Sequence, residues 1–294
     1  MPTELKFLAK TILFCLALSP LAASAAKPAY DAIYVFGDSY NDVGNLFAAD
    51  GGAEPLSPPY FHGRFSNGPL WVEHLAGSYG LPMLPSLAGG TDYAFGGAWA
   101  TMPIVTAAGT IPDVPQQVAL YLSQHDGKAD PKALYVLEGG GNDILGSSTV
   151  PVKQIAFEIA SSIAESEQTL RRAGARNFLI PNFFNLADLP VAAPIASFAT
   201  AAAAATNQIL DELLLPEEFN PEVRIVRVDD AALFDAIETD TNHFGFTNVT
   251  TPCLNAATET VCADPDHTLF WDTVHPTEFM HGYFAVAAET VLNH

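Results

Sequence analysis

Tyr34-Val35-Phe36-Gly37-Asp38-Ser39-Tyr40-Asn41-Asp42-Val43-Gly44-Asn45 is the stretch from which the fold is read. An apolar run ends in Gly-Asp-Ser and turns at once into a polar segment containing Gly and Asn. The pattern predicts a buried strand that ends just before Ser39, with a helix beginning behind the hydroxyl. A serine so placed can act as a nucleophile where a base and donors for a developing oxyanion stand elsewhere in the chain. Gly140-Gly141-Asn142-Asp143 and Asp272-Thr273-Val274-His275 contain candidates for both.

Further apolar or β-branched runs of similar length follow at Ala133–Leu137, Asn177–Ile180 and Val223–Val228, with a weaker one near Thr91–Ala94; the opening run is Ala32–Phe36. Between them lie stretches with apolar residues at helical spacing: Leu70–Tyr79, Val114–Ser123, Val152–Ala173 and Ile195–Leu215, with Glu278–Leu292 closing the chain. Strand-then-helix alternation predicts an α/β sandwich around a parallel sheet. Sites in that architecture form at the carboxyl ends of the strands. Ser39 and Asn142 each follow a strand and therefore share one edge. The Ala201–Ala205 run predicts a helix packed closely on the sheet; a sharper alternative makes it part of an apolar wall or lid over a pocket.

The N-terminus has the features of a secretory signal over residues 1–25. Lys6 and Lys10 precede the apolar run Thr11–Leu21, and Ala23-Ser24-Ala25 is a small-x-small cleavage site. That run is too short to span a bilayer comfortably, so no stable membrane insertion is expected. The expected location is secreted or periplasmic. Residues 26–294 contain no repeat, low-complexity linker or charge block, and nearly half the chain is apolar, which fits one domain with one large core. The formal net charge is −21, and signal removal takes it further negative. Such a chain repels phosphate backbones, so nucleic acid is not an expected partner. Cys15 leaves with the signal, and the remaining even pair, Cys253 and Cys262, predicts a disulfide in an exported protein. No further cysteine or well-spaced histidine completes a tetrahedral metal site, and the calcium-loop spacing is not met around Asp38 and Asp42.

His275 is the favoured base, with Asp272 three residues earlier to orient one ring nitrogen. Pro276 suits the first turn of the closing helix. Asp264-Pro265-Asp266-His267 has the same Asp-x-x-His spacing, and spacing alone does not separate the two pairs. For the oxyanion, the Ser39 backbone N–H, the Asn142 amide and a glycine N–H from Asp92-Tyr93-Ala94-Phe95-Gly96-Gly97-Ala98 are the candidate donors. Trp71, Trp99 and Trp271 read as core residues rather than a substrate platform, with Trp271, beside Asp272, placed to serve as both.

Taken together and in order, Phe36-Gly37-Asp38-Ser39, Gly96-Gly97, Gly140-Gly141-Asn142-Asp143 and Asp272-Thr273-Val274-His275-Pro276 resemble the GDSL/SGNH hydrolase family, in its secreted lipase, esterase and lecithinase-haemolysin branch. Gly63-Arg64-Phe65-Ser66-Asn67-Gly68 is also similar to a segment of that branch. The resemblance runs from about Ala32 to the C-terminus. It implies a flavodoxin-like three-layer α/β/α sandwich with a central, mostly parallel sheet. It implies a Ser39, Asp272, His275 triad, which decides against His267, and an oxyanion hole of Ser39, Gly97 and Asn142, with Gly96 the alternative to Gly97. One departure is Asp92, where the family often has Asn.

The expected activity is therefore that of a serine carboxylester hydrolase needing no cofactor, acting on a small-molecule or lipid ester through an acyl-enzyme. Lipid acyl transfer and carbohydrate O-deacetylation use the same machinery. A non-catalytic secreted binding protein is the reading from another class; it predicts a broken triad. Apolar walls are expected near Phe95, Trp99 and the Ala-rich segment.

Overall fold

A computed structural model describes residues 30–106 and 109–294. The signal expected over residues 1–25 lies outside them. In chain order the elements are β1 (Ile33–Phe36), α1 (Asn45–Ala49), α2 (Trp71–Ser78), β2 (Ile104–Thr106), β3 (Gly109–Ile111), α3 (Val114–Gln124), β4 (Leu134–Leu137), α4 (Gly141–Gly146), α5 (Val152–Ala173), β5 (Asn177–Pro181), α6 (Ala196–Glu218), β6 (Arg224–Val228), α7 (Asp230–Thr239), β7 (Leu254–Asn255), β8 (Thr260–Val261) and α8 (Glu278–Leu292).

Strands β1, β4, β5 and β6 form one parallel sheet in that order. Phe36 pairs with Leu137, so the carboxyl ends of β1 and β4 align at one edge. β4 is buried along its whole length and β1 nearly so, because helices cover both faces. Helices α3, α5 and α6 pack together on one side, and α2, α7 and α8 on the other. The expected three-layer sandwich is thus the observed one.

The weak strand expected near Thr91–Ala94 is a single bridge at Asp92, on the open edge of β1. Val35 N–H donates to Thr91 O and Tyr93 N–H to Val35 O, at 3.1 and 2.8 Å. From β1 the chain passes to this edge and later returns to β4 on the other side. The order therefore reverses at β1, and the crevice at such a reversal is where open α/β sheets bind ligands. Ser39 lies there.

Two expectations need correction. No helix begins at Ser39; the chain makes a turn in which Asp38 O accepts from Asn41 and Asp42 N–H, and α1 starts only at Asn45. Asp42 explains the delay, since its carboxylate accepts the N–H groups of Gly44, Asn45 and Leu46 and so caps α1 itself. Pro276 is not in the first turn of α8. It precedes the cap Thr277, whose hydroxyl accepts from Met280 N–H, with Glu278 in the first turn.

The Ala-rich segment lies within α6, with Ala199, Ala202 and Ala203 buried in the main core and the helix packed mainly on α5. Trp71 and Trp271 are buried, as expected of core residues, whereas Trp99 is half-buried against Gly146. Among the described residues no helix is long and apolar enough to cross a membrane.

Candidate active site

The turn after β1 is held from several directions. A Cβ on Gly37 would come within 2.5 Å of Asn41 Nδ2 and 2.9 Å of Glu138 O, so only glycine fits. Gln117 brackets the same residue, accepting from its N–H at 2.8 Å and donating to its carbonyl at 2.9 Å. Tyr40 O–H donates to Val274 O at 2.7 Å, tying the turn to the histidine loop 234 residues away. Ser39, only 4 % exposed, is thereby fixed with its hydroxyl toward that loop.

Ser39 Oγ lies 2.8 Å from His275 Nε2, and His275 Nδ1 lies 2.7 Å from Asp272 Oδ2. An ionised carboxylate only accepts, so Nδ1 carries the proton and Nε2 presents its lone pair to the Ser39 hydroxyl. Burial alone would push the Asp272 carboxyl up. The charge and hydrogen bond of His275, the Tyr60 hydroxyl and the His275 N–H outweigh it and hold the group down at about 2. The other oxygen, Oδ1, accepts from Val274 and His275 N–H at 2.7 Å each, which fixes the loop as a tight turn.

Asp264 and His267 form their own pair at 2.8 Å, but both are about half exposed on the surface. His267 contacts neither Ser39 nor its turn; its imidazole is raised by the Asp264 hydrogen bond. Geometry therefore joins Ser39 to His275 and leaves His267 outside.

The glycine pair divides its work. Gly96 N–H donates to Asp42 Oδ2 at 2.7 Å and is used structurally. Gly97 sits at φ +75, and its N–H, like that of Ser39, has no acceptor among the described residues. Asn142 Nδ2 donates to Ala98 O at 2.9 Å, which anchors the amide on the Gly97 loop and leaves its second N–H for another acceptor. Asp92, the departure from the family pattern, is fully buried and accepts from Val43 and Ala94 N–H. Burial and then Asp42 push its carboxyl well up, while the Val43 and Ala94 N–H groups pull it the other way.

Several contributors escape a sequence reading. Tyr60 O–H donates to Asp272 Oδ2 at 2.6 Å from 212 residues away. Phe65 covers the His275 ring, with centroids 4.9 Å apart. Ser66 Oγ donates to Pro276 O, and Asn67 Oδ1 accepts from Glu278 N–H, so the Gly63–Gly68 segment holds the start of α8 behind the histidine. Only the resemblance flagged that segment. Cys253 and Cys262 are bonded, and Cys253 and Leu254 N–H donate to Phe270 and Trp271 O. The bridged hairpin thus buttresses the chain immediately before Asp272.

A cleft opens beside Ser39. Its apolar walls are Leu145, Phe183, Phe184, Leu186, Leu189 and Phe284, and not Phe95, Trp99 or the Ala-rich run. Those expected walls lie elsewhere, since Phe95 lines a separate hollow with Leu46 and Ile111, and the buried alanines of α6 belong to the main core.

A sequence profile of the GDSL-like Lipase/Acylhydrolase family matches residues 33–288. The chain belongs to this family. Among GDSL relatives, thermolabile hemolysin of Vibrio parahaemolyticus is 28% identical over 280 residues, which is 86% of this chain and 62% of that protein. Phosphatidylcholine-sterol acyltransferase of Aeromonas hydrophila is 26% identical over 321 residues, 92% of each protein. Lipase 1 of Photorhabdus luminescens is 32% identical over 202 residues, 67% of this chain and 28% of that one. The GDSL chain therefore spans less than two thirds of the hemolysin and of the lipase, and nearly all of the acyltransferase.

The cleft of this GDSL chain also holds carboxyls. Burial pushes Asp38 up to about 6, and burial and then Asp38 raise Glu138, whose Oε2 accepts from Asn41. The folded chain binds these protons at pH values where the unfolded chain, with Asp at its ordinary 3.8, has released them. Stability then falls as pH rises from the unfolded value through the folded one. For Asp38 alone the loss is on the order of 3 kcal/mol. Asp272 works in the opposite sense, since its contribution is present above its unfolded value and is lost as pH falls toward 2. The thermal midpoint is expected to be higher near pH 5 than at pH 8, and Asp38→Asn to flatten that slope by several degrees, as read from melting curves across the range. Parallel pH slopes for the two proteins would contradict the assignment to Asp38.

Proposed function

We propose that this GDSL-family protein is an exported serine carboxylester hydrolase, one domain from residue 26 onward after loss of residues 1–25. The observation that carries the reading is the run Asp272 to His275 to Ser39 at 2.7 and 2.8 Å, beside two backbone N–H groups that have no acceptor among the described residues. In this reading His275 Nε2 takes the Ser39 proton as Oγ attacks an ester carbonyl. Asp272 stabilises the imidazolium that results. The Ser39 and Gly97 N–H groups and the Asn142 amide receive the oxyanion. The imidazolium protonates the departing alcohol, and His275 then activates a water that hydrolyses the acyl-enzyme. Nothing in this sequence of steps calls on a metal or cofactor.

The cleft walls support an acyl group over a carbohydrate, because aromatic and aliphatic side chains line it. The intact set of groups supports catalysis over a binding-only role. A second reading, acyl transfer from a lipid to another alcohol, is favoured by the acyltransferase relative that matches across 92% of both chains. An alcohol in place of water at the second step suffices for it.

Covalent capture tests the assignment. A fluorophosphonate probe is expected to label the mature protein once per chain, with the adduct on Ser39 by peptide mass spectrometry. No adduct, or one on another residue, would remove Ser39 as nucleophile.

A further inference from the structure

Two long segments of this acidic chain carry no charged side chain. Residues 93–112 lie between Asp92 and Asp113, and residues 189–210 between Asp188 and Asp211. The chain as a whole is 15% charged with a net charge of −21, so both gaps depart from its general character. They also border the site. On one side, the β2–β3 hairpin stands against the oxyanion loop, where Ile111 Cδ1 is 3.4 Å from the Cβ position of Gly97. On the other, the turn Pro190–Ile195 is joined to the triad loop, since Val191 N–H donates to Thr273 O at 3.0 Å. Leu189, just before that turn, lines the cleft.

Each segment exposes apolar side chains at these positions. Val105 is 82 %, Met102 50 % and Val191 41 % exposed. In the hairpin, Val105 pairs with Thr110, and both face solvent, while the neighbouring pair Ile104 and Ile111 is half-buried. Ile104 and Ile111 are thus partly covered by their surroundings, and Val105 is not.

We propose that strands β2 and β3, with Met102 just before them, and the Pro190–Ile195 turn seat the protein on a zwitterionic phospholipid surface, with the mouth of the cleft at the headgroup layer. Exposed apolar side chains on stretches that carry no charge of their own partition into the headgroup and acyl boundary. The charge of the chain selects the kind of surface. An anionic bilayer repels a protein of net charge −21, whereas a zwitterionic one has no net charge to oppose contact. The inference rests on the ester-hydrolase reading for its purpose, and gives that reading an aggregated lipid ester as substrate.

The test separates the two. Flotation with phosphatidylcholine vesicles reads docking, in a Ser39→Ala background so that lipid is not consumed. Turnover of a soluble short-chain acyl ester, in proteins that retain Ser39, reads the chemistry. Val105→Asp and Met102→Asp are expected to weaken vesicle partition by about tenfold each, from loss of one inserted apolar side chain. Soluble-ester turnover and melting temperature are expected to stay unchanged, and Val105→Ser, which adds no charge, to weaken partition in the same direction. Phosphatidylglycerol vesicles are expected to bind the parent less well than phosphatidylcholine. Parent-like partition by the variants, failure of the parent to bind, or preference for the anionic vesicles would overturn the proposal. So would a dimer in sedimentation that the same variants abolish, since that assigns the face to a second copy. Absence of soluble-ester turnover in the parent, with vesicle binding intact, would sink the hydrolase reading instead.

Discussion

Ser39→Ala is expected to lower kcat on a soluble acyl ester by about four to six orders of magnitude, with the melting temperature little changed. The size of the loss follows from the site's construction. Ser39 Oγ is the hydroxyl within hydrogen-bond reach of His275 Nε2, and no second hydroxyl is bonded to that nitrogen among the described residues. The stability expectation has its own basis. The turn is held by Gly37, Gln117, Asp38 and Tyr40, none of whose contacts uses the Ser39 side chain. Steady-state kinetics beside a thermal melt make the comparison. Residual kcat within tenfold of the parent, in a folded variant, would mean that another group attacks the ester.

His275→Ala and His267→Ala form the second test. The first is expected to cost about four orders of magnitude in kcat/KM, because the hydroxyl is left without a base and the imidazolium is never formed. The second is expected to fall within about twofold of the parent, since a half-exposed surface ion pair contributes little. Tyr60→Phe belongs between them. It leaves Asp272 bonded to His275 but frees one carboxylate oxygen of its second donor, so a loss of about tenfold in kcat with KM unchanged is expected. A larger effect at His267 than at His275 would reverse the assignment of the base.

How far these features were visible beforehand follows from the range of the interactions that create them. The strands were legible because a sheet covered on both faces demands continuous apolar runs, as Leu134–Leu137 and Ile33–Phe36 are. The bounds of α5 were legible because Gly174, at φ 124, ends the helix as glycine can. Ser39 and the Asp272 to His275 pair were legible because each motif is local. In the sequence only resemblance separates His275 from His267, whereas the physical reason is a loop held by Tyr40 and Asp272.

Long-range features were not legible. Tyr60 reaches Asp272 across 212 residues, and Glu138 reaches Asn41 across 97. The helix expected behind Ser39 failed for a local reason of a different kind. A carboxylate at position 42 gathers the following N–H groups and starts α1 late, and periodicity does not register a side-chain cap of that sort. Helix α7 gives a weak sequence signal, because it begins at once after β6 at the Asp229-Asp230 pair. The cleft walls were misplaced because aromatic residues near a motif in sequence, such as Phe95 and Trp99, need not face the same side as the motif.

Asp42 has one more consequence. Its Oδ2 receives Leu46 N–H from the element that follows the nucleophile and Gly96 N–H from the loop next to the oxyanion donor. One rigid carboxylate therefore spans the attacking atom's support and the charge-receiving atom's support. The two cannot drift apart independently, and errors in their positions are correlated. A shift of either loop is passed to the other through one shared oxygen, in the way the two jaws of a caliper share one beam.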